Sequence, residues 1–225
     1  MQESAGGEPK KVLITGASGG IGRIACGVFW RGGWGVSGTT RHEGMMNFLQ
    51  GRYNGGEFLE FDAGRPIELD PSFLDVDVLV NNAGINVNAA LADVRETIPN
   101  EFDVNFWMAV DFTQWVVPHM KKRGGGKIIN IASTVGVRGC PYHSVYSASK
   151  HALVGFSHSI REELKDDGID VSVIYPGATQ TKMNEGKTGL MDPRQVADAI
   201  YFAATRDKGV CCDLYVYPQC EKRKP

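Results

Sequence analysis

Lys11-Val-Leu-Ile-Thr-Gly-Ala-Ser-Gly-Gly-Ile-Gly22 is a short β-branched run that stops at a turn carrying glycines at 16, 19, 20 and 22. Ile24, Ala25, Val28 and Phe29 follow at helical spacing, and Gly32-Gly33 closes that helix. The unit is strand, turn, helix. Glycines there remove side chains where a pyrophosphate must approach, and the helix N-terminus supplies free N–H groups and positive partial charge. Gly16, Gly20 and Gly22 fit one dinucleotide-turn spacing and Gly16, Gly19 and Gly22 another, so the turn alone leaves both open.

Outward from this unit the pattern repeats. Short apolar runs span Trp34 to Thr39, Glu57 to Phe61 and Val76 to Val80, the last leading into Asn81-Asn-Ala-Gly84. A long helical pattern covers Glu101 to Met120, where Pro118 is expected to bend or end the helix. Strand Lys127 to Ile131, a helix from about Tyr146 to Lys165, strand Asp170 to Tyr175, a helix from Pro193 to Ala204 and a last run, Val210 to Tyr217, complete the series. Short strands alternating with longer helices specify right-handed βαβ units. The expected fold is α/β, a Rossmann-type doubly wound parallel sheet in three α/β/α layers. One domain covers 11–217, with a flexible N-terminal segment at 1–10 and a tail at 218–225. Ligands in such a fold bind at the carboxyl ends of the strands, where the strand order reverses.

Composition narrows the function. Lys plus Arg total 24 against 26 Asp plus Glu, a formal charge of −2, which removes the electrostatic case for a nucleic-acid partner. No window approaches the ~18 uninterrupted apolar residues of a membrane helix, and the first residues carry no apolar leader, so a cytoplasmic protein without a membrane partner is expected. The five cysteines, Cys26, Cys140, Cys211, Cys212 and Cys220, lack zinc-type spacing and read as ordinary thiols; no metal site is expected.

Tyr146-Ser-Ala-Ser-Lys150 places a phenol and an ammonium one helical turn apart. An ordinary tyrosine has a pKa of about 10, and a neighbouring cation is expected to lower it towards that of a usable general acid. On its own this spacing is common on exposed helices. Here Ser133, past the end of strand Lys127 to Ile131, reaches the same carboxyl edge, where it can donate to a carbonyl oxygen. Asn105 sits between Val104 and Phe106, where a buried amide needs a partner. After the second strand, where an acid would bind a ribose 2′-hydroxyl, stand Thr40 and Arg41, which favours NADP(H) over NAD(H). Asp62, at the next strand end, is placed to accept from an adenine amino group.

Thr15-Gly-Ala-Ser-Gly-Gly-Ile-Gly22, Asn81-Asn-Ala-Gly84, Asn105, Ser133, Tyr146-Ser-Ala-Ser-Lys150 and Pro176-Gly177 with Thr181 occur in the order and spacing of one family. The chain resembles the classical branch of the short-chain dehydrogenases/reductases, from about Lys10 to Val216. The resemblance implies Tyr146 as general acid/base, Ser133 polarising the carbonyl, Lys150 lowering the tyrosine pKa and binding the nicotinamide ribose, and Asn105 holding a relay water. It also implies cofactor contacts from Gly16, Ser18, Gly20, Ile21 and Gly22, from Asn82, Ala83 and Gly84 beside the adenosine ribose, and from Pro176, Gly177 and Thr181 beside the nicotinamide carboxamide.

The expected activity is an NADP(H)-dependent carbonyl reductase or alcohol dehydrogenase acting on a small carbonyl compound or secondary alcohol, including 3-oxoacyl types. Asn86, Val87, Val135, Cys140, His143 and Met183 are the candidate substrate-loop residues, with His143 expected to face solvent. The loop from Ala178 to about Asp192 is short, implying a small lid. A homodimer or homotetramer through the helices around 103–120 and 146–165 is the family-level expectation. An NAD-dependent alcohol dehydrogenase, a non-catalytic dinucleotide-binding regulator, and epimerase or dehydratase chemistry are the competing readings.

Overall fold

Residues alternate along a strand between the two faces of a sheet, and here both faces are apolar. Val12 and Ile14 pack with Phe29, Val196 and Ile200 on one side, while Leu13 packs with Phe112, Val116 and Ile160 on the other. This places helices on both faces, as the sequence pattern requires. A computed structural model of the chain describes residues 9–63, 69–94 and 100–218. Most of the expected N-terminal segment and C-terminal tail, with Cys220, lies outside the described residues.

The seven strands are β1 (Lys11–Ile14), β2 (Gly35–Thr40), β3 (Phe58–Glu60), β4 (Val78–Asn81), β5 (Gly126–Ile131), β6 (Ile169–Pro176) and β7 (Asp213–Val216). They form one parallel sheet in the order β3-β2-β1-β4-β5-β6-β7. The order reverses between β1 and β4, whose carboxyl ends deliver Thr15 and Asn81 to the same crevice.

The helices are α1 (Gly20–Arg31), α2 (Glu43–Arg52), α3 (Pro71–Leu74), α4 (Met108–Arg123), α5 (Ser144–Leu164) and α6 (Pro193–Ala204). Two of them carried no usable sequence signal. In α2 only Leu49 is fully buried, so no apolar stripe marks it, and α3 is a single turn whose Ser72 N–H is capped by Asp70 at 2.8 Å.

Pro118 does not end its helix: α4 continues to Arg123, stopping at Gly124 with φ 83°. Pro118 and Gln114 are both exposed, so water can take the carbonyl that the proline leaves unpaired. The irregularity lies earlier, in a π turn over Asp103–Trp107 that leads into α4 and carries Asn105. Single π turns of this kind are frequent at functional sites. No helix among the described residues is long and apolar enough to cross a membrane.

Candidate active site

The crevice is built from two halves, one beside β1 and one beside β5. On the first, Gly16 adopts φ 65°, and a Cβ on Gly22 would stand 2.3 Å from the Gly16 carbonyl oxygen. A Cβ on Gly20 would strike Thr181 Cγ2 at 2.6 Å, so Thr181 roofs the turn. Gly19 precedes α1 and supplies no side-chain cap, which leaves the first-turn N–H groups of α1 available to an anion.

The Asn81–Gly84 segment is stitched to this turn. Asn82 donates from its side chain to the Thr15 carbonyl at 2.9 Å, and the Asn82 and Ala83 N–H groups both donate to Thr15 Oγ1 at 3.0 Å. Asn81 faces the other way: its Nδ2 donates to Asn130 Oδ1 at 2.8 Å, and Asn130 donates to Ser157 Oγ at 2.8 Å. These buried amides lock β4, β5 and α5 together. The role of Asn130 and Ser157 was not legible in the sequence, since a lone polar residue within an apolar strand gives no partner.

At the end of β2, Thr40 donates to Ser18 Oγ at 2.7 Å, and Arg41 is exposed beside them. Two hydroxyls and a guanidinium therefore border the place a ribose 2′-substituent would take. Asp62, one residue beyond Phe61, is exposed at the same edge, while Pro176 and Gly177 end β6, with Gly177 N–H bound to the Val216 carbonyl at 2.7 Å. An uncapped helix start, a turn that excludes Cβ atoms and this polar rim fit a dinucleotide.

On the second half, Tyr146 and Lys150 lie on the buried face of α5, 9% and 4% exposed. The Lys150 Nζ donates to the Ile131 carbonyl at 2.9 Å and stands 6.0 Å from the Tyr146 ring centroid. The expected lowering of the tyrosine pKa by Lys150 is not found. Burial pushes the phenol up to about 12, a hydrogen bond from Ser133 opposes this, and the Glu101 carboxylate adds to the rise. Burial likewise pushes the Lys150 ammonium down to about 8, against the pull of Glu101. Ser133 Oγ also lies 3.4 Å from the Pro176 carbonyl, a long bond that its single proton can give up for the site.

Asn105 is buried and has its partners. Its Oδ1 accepts the Ile85 N–H at 2.8 Å, and its Nδ2 donates to the Ile85 carbonyl at 2.9 Å and to Ser149 Oγ at 3.1 Å. The side-chain amide is committed to the loop after β4 and to α5, which leaves acceptor oxygens rather than N–H groups for any further partner. His143 does not point freely to solvent: it is half-buried, with its ring centroid 6.4 Å from that of Tyr146. The short 178–192 loop is pinned by Met191 N–H to the Ala178 carbonyl at 3.0 Å and Gln180 N–H to the Met191 carbonyl at 2.8 Å, and it exposes Met183.

The family model for short chain dehydrogenases matches residues 68–189. A 3-ketodihydrosphingosine reductase of Bacteroides thetaiotaomicron is 33% identical over 85% of this chain and 69% of its own length. The chain belongs to the short-chain dehydrogenase family. The ketoacyl reductase HetN of a Nostoc species is 37% identical over 56% of this chain, and the match spans about half of that relative, 47%. Among solved structures, a closed serine dehydrogenase complexed with NADP+ superposes with a TM-score of 0.82 at 25% identity, covering 96% of this chain and 98% of that one.

One ionisable residue of this short-chain dehydrogenase escaped the sequence reading. Glu101, 1% exposed, accepts the Val87 N–H on Oε1 at 3.2 Å. Its place four residues before Asn105, on the same helical face, was the available signal.

Proposed function

We propose that the chain is an NADP(H)-dependent oxidoreductase that interconverts a ketone and a secondary alcohol. The observation that carries this reading is the meeting of the Ser133 and Tyr146 hydroxyls at the carboxyl edge of the sheet, with the Lys150 ammonium buried behind them. A protein that only bound a dinucleotide would have no use for a phenol and a hydroxyl aimed at one point.

The first-turn N–H groups of α1, with Gly16, Ser18, Gly20, Ile21 and Gly22, would hold the pyrophosphate. Thr40 and Arg41 would take the 2′-phosphate, Asp62 the adenine amino group, and Asn82, Ala83 and Gly84 the adenosine ribose. Lys150 would bind the second ribose, and Pro176, Gly177 and Thr181 would border the nicotinamide. When bound, that ring supplies the hydride. Ser133 donates to the substrate carbonyl oxygen and polarises it, and Tyr146 gives its proton to the same oxygen as the alcohol forms. Burial keeps the phenol protonated at neutral pH, so the residue carries the proton that reduction of the carbonyl consumes. Asn105 keeps the loop after β4 and Ser149 in place.

A specific observation favours an NAD-dependent reading: Glu60 on β3 stands in register with Thr40, and Glu43 opens α2, so carboxylates flank the cation. Titration with NADPH and NADH, followed by loss of nicotinamide absorbance across ketones, aldehydes and oxoacyl thioesters, separates the two. Tighter NADPH binding with ketone-dependent oxidation is expected. Preference for NADH would overturn the 2′-phosphate assignment, and product formation without net cofactor consumption would point to epimerase or dehydratase chemistry. A homodimer or homotetramer through α4 and α5 is part of the same reading, supported by exposed Phe102 and Trp107 beside α4; a monomer by light scattering would refute it.

A further inference from the structure

The reaction as proposed uses Tyr146, Ser133 and Lys150 and gives no task to the third ionisable group beside them. Glu101 lies in the turn that leads into the π segment Asp103–Trp107. Glu101 and Asn105 form two rungs on the loop after β4: one holds the Val87 N–H and the other holds Ile85. The second carboxylate oxygen, Oε2, is buried and has no hydrogen-bond partner among the described residues. A carboxylate withdrawn from water at such a place needs a balancing charge.

Lys150 brings a cation to the same loop. A Cβ on Gly84 would lie 3.2 Å from Asn105 Oδ1 and 3.5 Å from Lys150 Nζ, so the ammonium reaches the same loop that the two rungs hold. Lys150 is bonded to the neutral Ile131 carbonyl, and no direct ion pair balances it among the described residues. Each group acts electrostatically on the other across the gap: Lys150 draws the Glu101 carboxyl down and Glu101 draws the ammonium up, both against burial. Among the described residues, the other groups placed about Lys150 are uncharged at neutral pH: Tyr146 on its own helix, the Ile131 carbonyl on β5, Gly136 after it, and Gly84 with Asn105. His143 reaches the Tyr146 ring from the loop before α5.

We propose that Glu101 is a positioning residue for the reaction, the internal counter-ion of the Lys150 ammonium, tying that ammonium to the loop after β4. The inference rests on the reading of Lys150 as part of an oxidoreductase site. Without the carboxylate, the buried ammonium sheds its proton at lower pH, and its charge-assisted contact with a ribose is lost with it.

The test compares wild type, Glu101→Gln and Glu101→Asp. NADPH binding, read by nicotinamide fluorescence, and ketone-dependent NADPH oxidation are followed from pH 6 to 10, taking ~6–10 as the span around an ammonium displaced from ~10.4. Both are expected to fall at alkaline pH in wild type, and in Glu101→Gln the fall moves to lower pH by on the order of one unit. Glu101→Asp, which keeps the charge, should stay nearer to wild type. An unmoved profile in folded Glu101→Gln overturns the proposal.

Urea unfolding of Glu101→Gln, Lys150→Met and the double variant gives a readout that needs no turnover. The double variant should unfold at a midpoint nearer to wild type than the sum of the two single losses; additive losses overturn the pairing. Should Glu101→Gln alone fail to fold, the Lys150→Met background must restore it, and failure there also overturns the proposal. If wild type binds no dinucleotide and oxidises none with any carbonyl, the oxidoreductase reading fails, and the unfolding cycle alone decides whether the two charges are paired.

Discussion

At the amino end of the sheet, Lys127 on β5 bonds Asp170 on β6 at 2.7 Å, Arg123 closes on Asp75 and Asp77, and Lys208 donates to the Gly124 carbonyl at 2.8 Å. A cleft of about 210 Å³ lies among these groups, and its cations already have partners. At the carboxyl end, Lys150 has one neutral carbonyl, Glu101 keeps an oxygen without a partner, and α1 starts without a side-chain cap. The start of α6, which follows β6 at the same end, is by contrast capped by Asp192. One end of the same seven strands has these ionic groups satisfied within the protein; the other leaves several polar groups available to a ligand. Polar groups left incomplete at a concave strand edge mark where binding energy can be used, because a ligand that satisfies them gains what the fold did not.

Two substitutions break this comparison at opposite ends. Tyr146→Phe removes one oxygen at the open end, and turnover should fall by about 10²–10⁴-fold while dinucleotide binding and the unfolding midpoint stay close to wild type. Steady-state rates beside a fluorescence titration read both quantities; near-wild-type turnover would remove the general acid from the mechanism. Asp170→Asn acts on the closed end. Asp170 and Lys127 are 9% and 14% exposed at their side chains, so the substitution strands a largely buried ammonium and should cost about 3 kcal/mol of stability. Gly209 N–H also donates to Asp170, at 3.0 Å to one of its oxygens, which adds to the loss. Urea unfolding measures it, and turnover per folded molecule should not change.

Arg41→Ala sharpens the comparison within the open end. The guanidinium is exposed, and no ion pair holds it among the described residues, so its removal should leave the fold unchanged. Losing a charge-assisted contact to a 2′-phosphate should raise the KM for NADPH about tenfold and leave that for NADH unchanged. An unchanged KM for NADPH would return the choice of cofactor to Glu60 and Glu43.

How far the sequence could be read follows the same division. Strand and helix order was legible because Val12, Leu13 and Ile14 carry unbroken apolar character, Gly32 and Gly124 stop helices, and Pro193 with Asp192 starts one. α2 was not, since a helix that buries little has little periodicity to show. At the site, spacing identified Tyr146, Lys150 and Ser133 as a group but not how burial would set their protonation. Proximity along a helix suggested that Lys150 lowers the phenol pKa, whereas desolvation of both groups dominates in the folded chain. Glu101 and Asn130 were hidden because their partners, Val87 and Asn81, arrive from distant segments.

The smallest effect concerns the two kinds of helix start. Asp192 accepts the Arg194 N–H at 2.8 Å, with Pro193 at the first helical position, so α6 has its leading N–H satisfied internally. Asp192→Ala should cost about 1 kcal/mol of stability, seen as a lower urea midpoint at unchanged slope. The contrast is α1, where Gly19 contributes no capping group to begin with. There the same stabilisation is absent from the free chain and should be supplied by a bound phosphate, so saturating NADPH should raise the midpoints of wild type and Asp192→Ala by equal amounts. A smaller rise in Asp192→Ala would mean that α6 and the 178–192 loop take part in binding the dinucleotide, and that the capped and open helix starts are not independent.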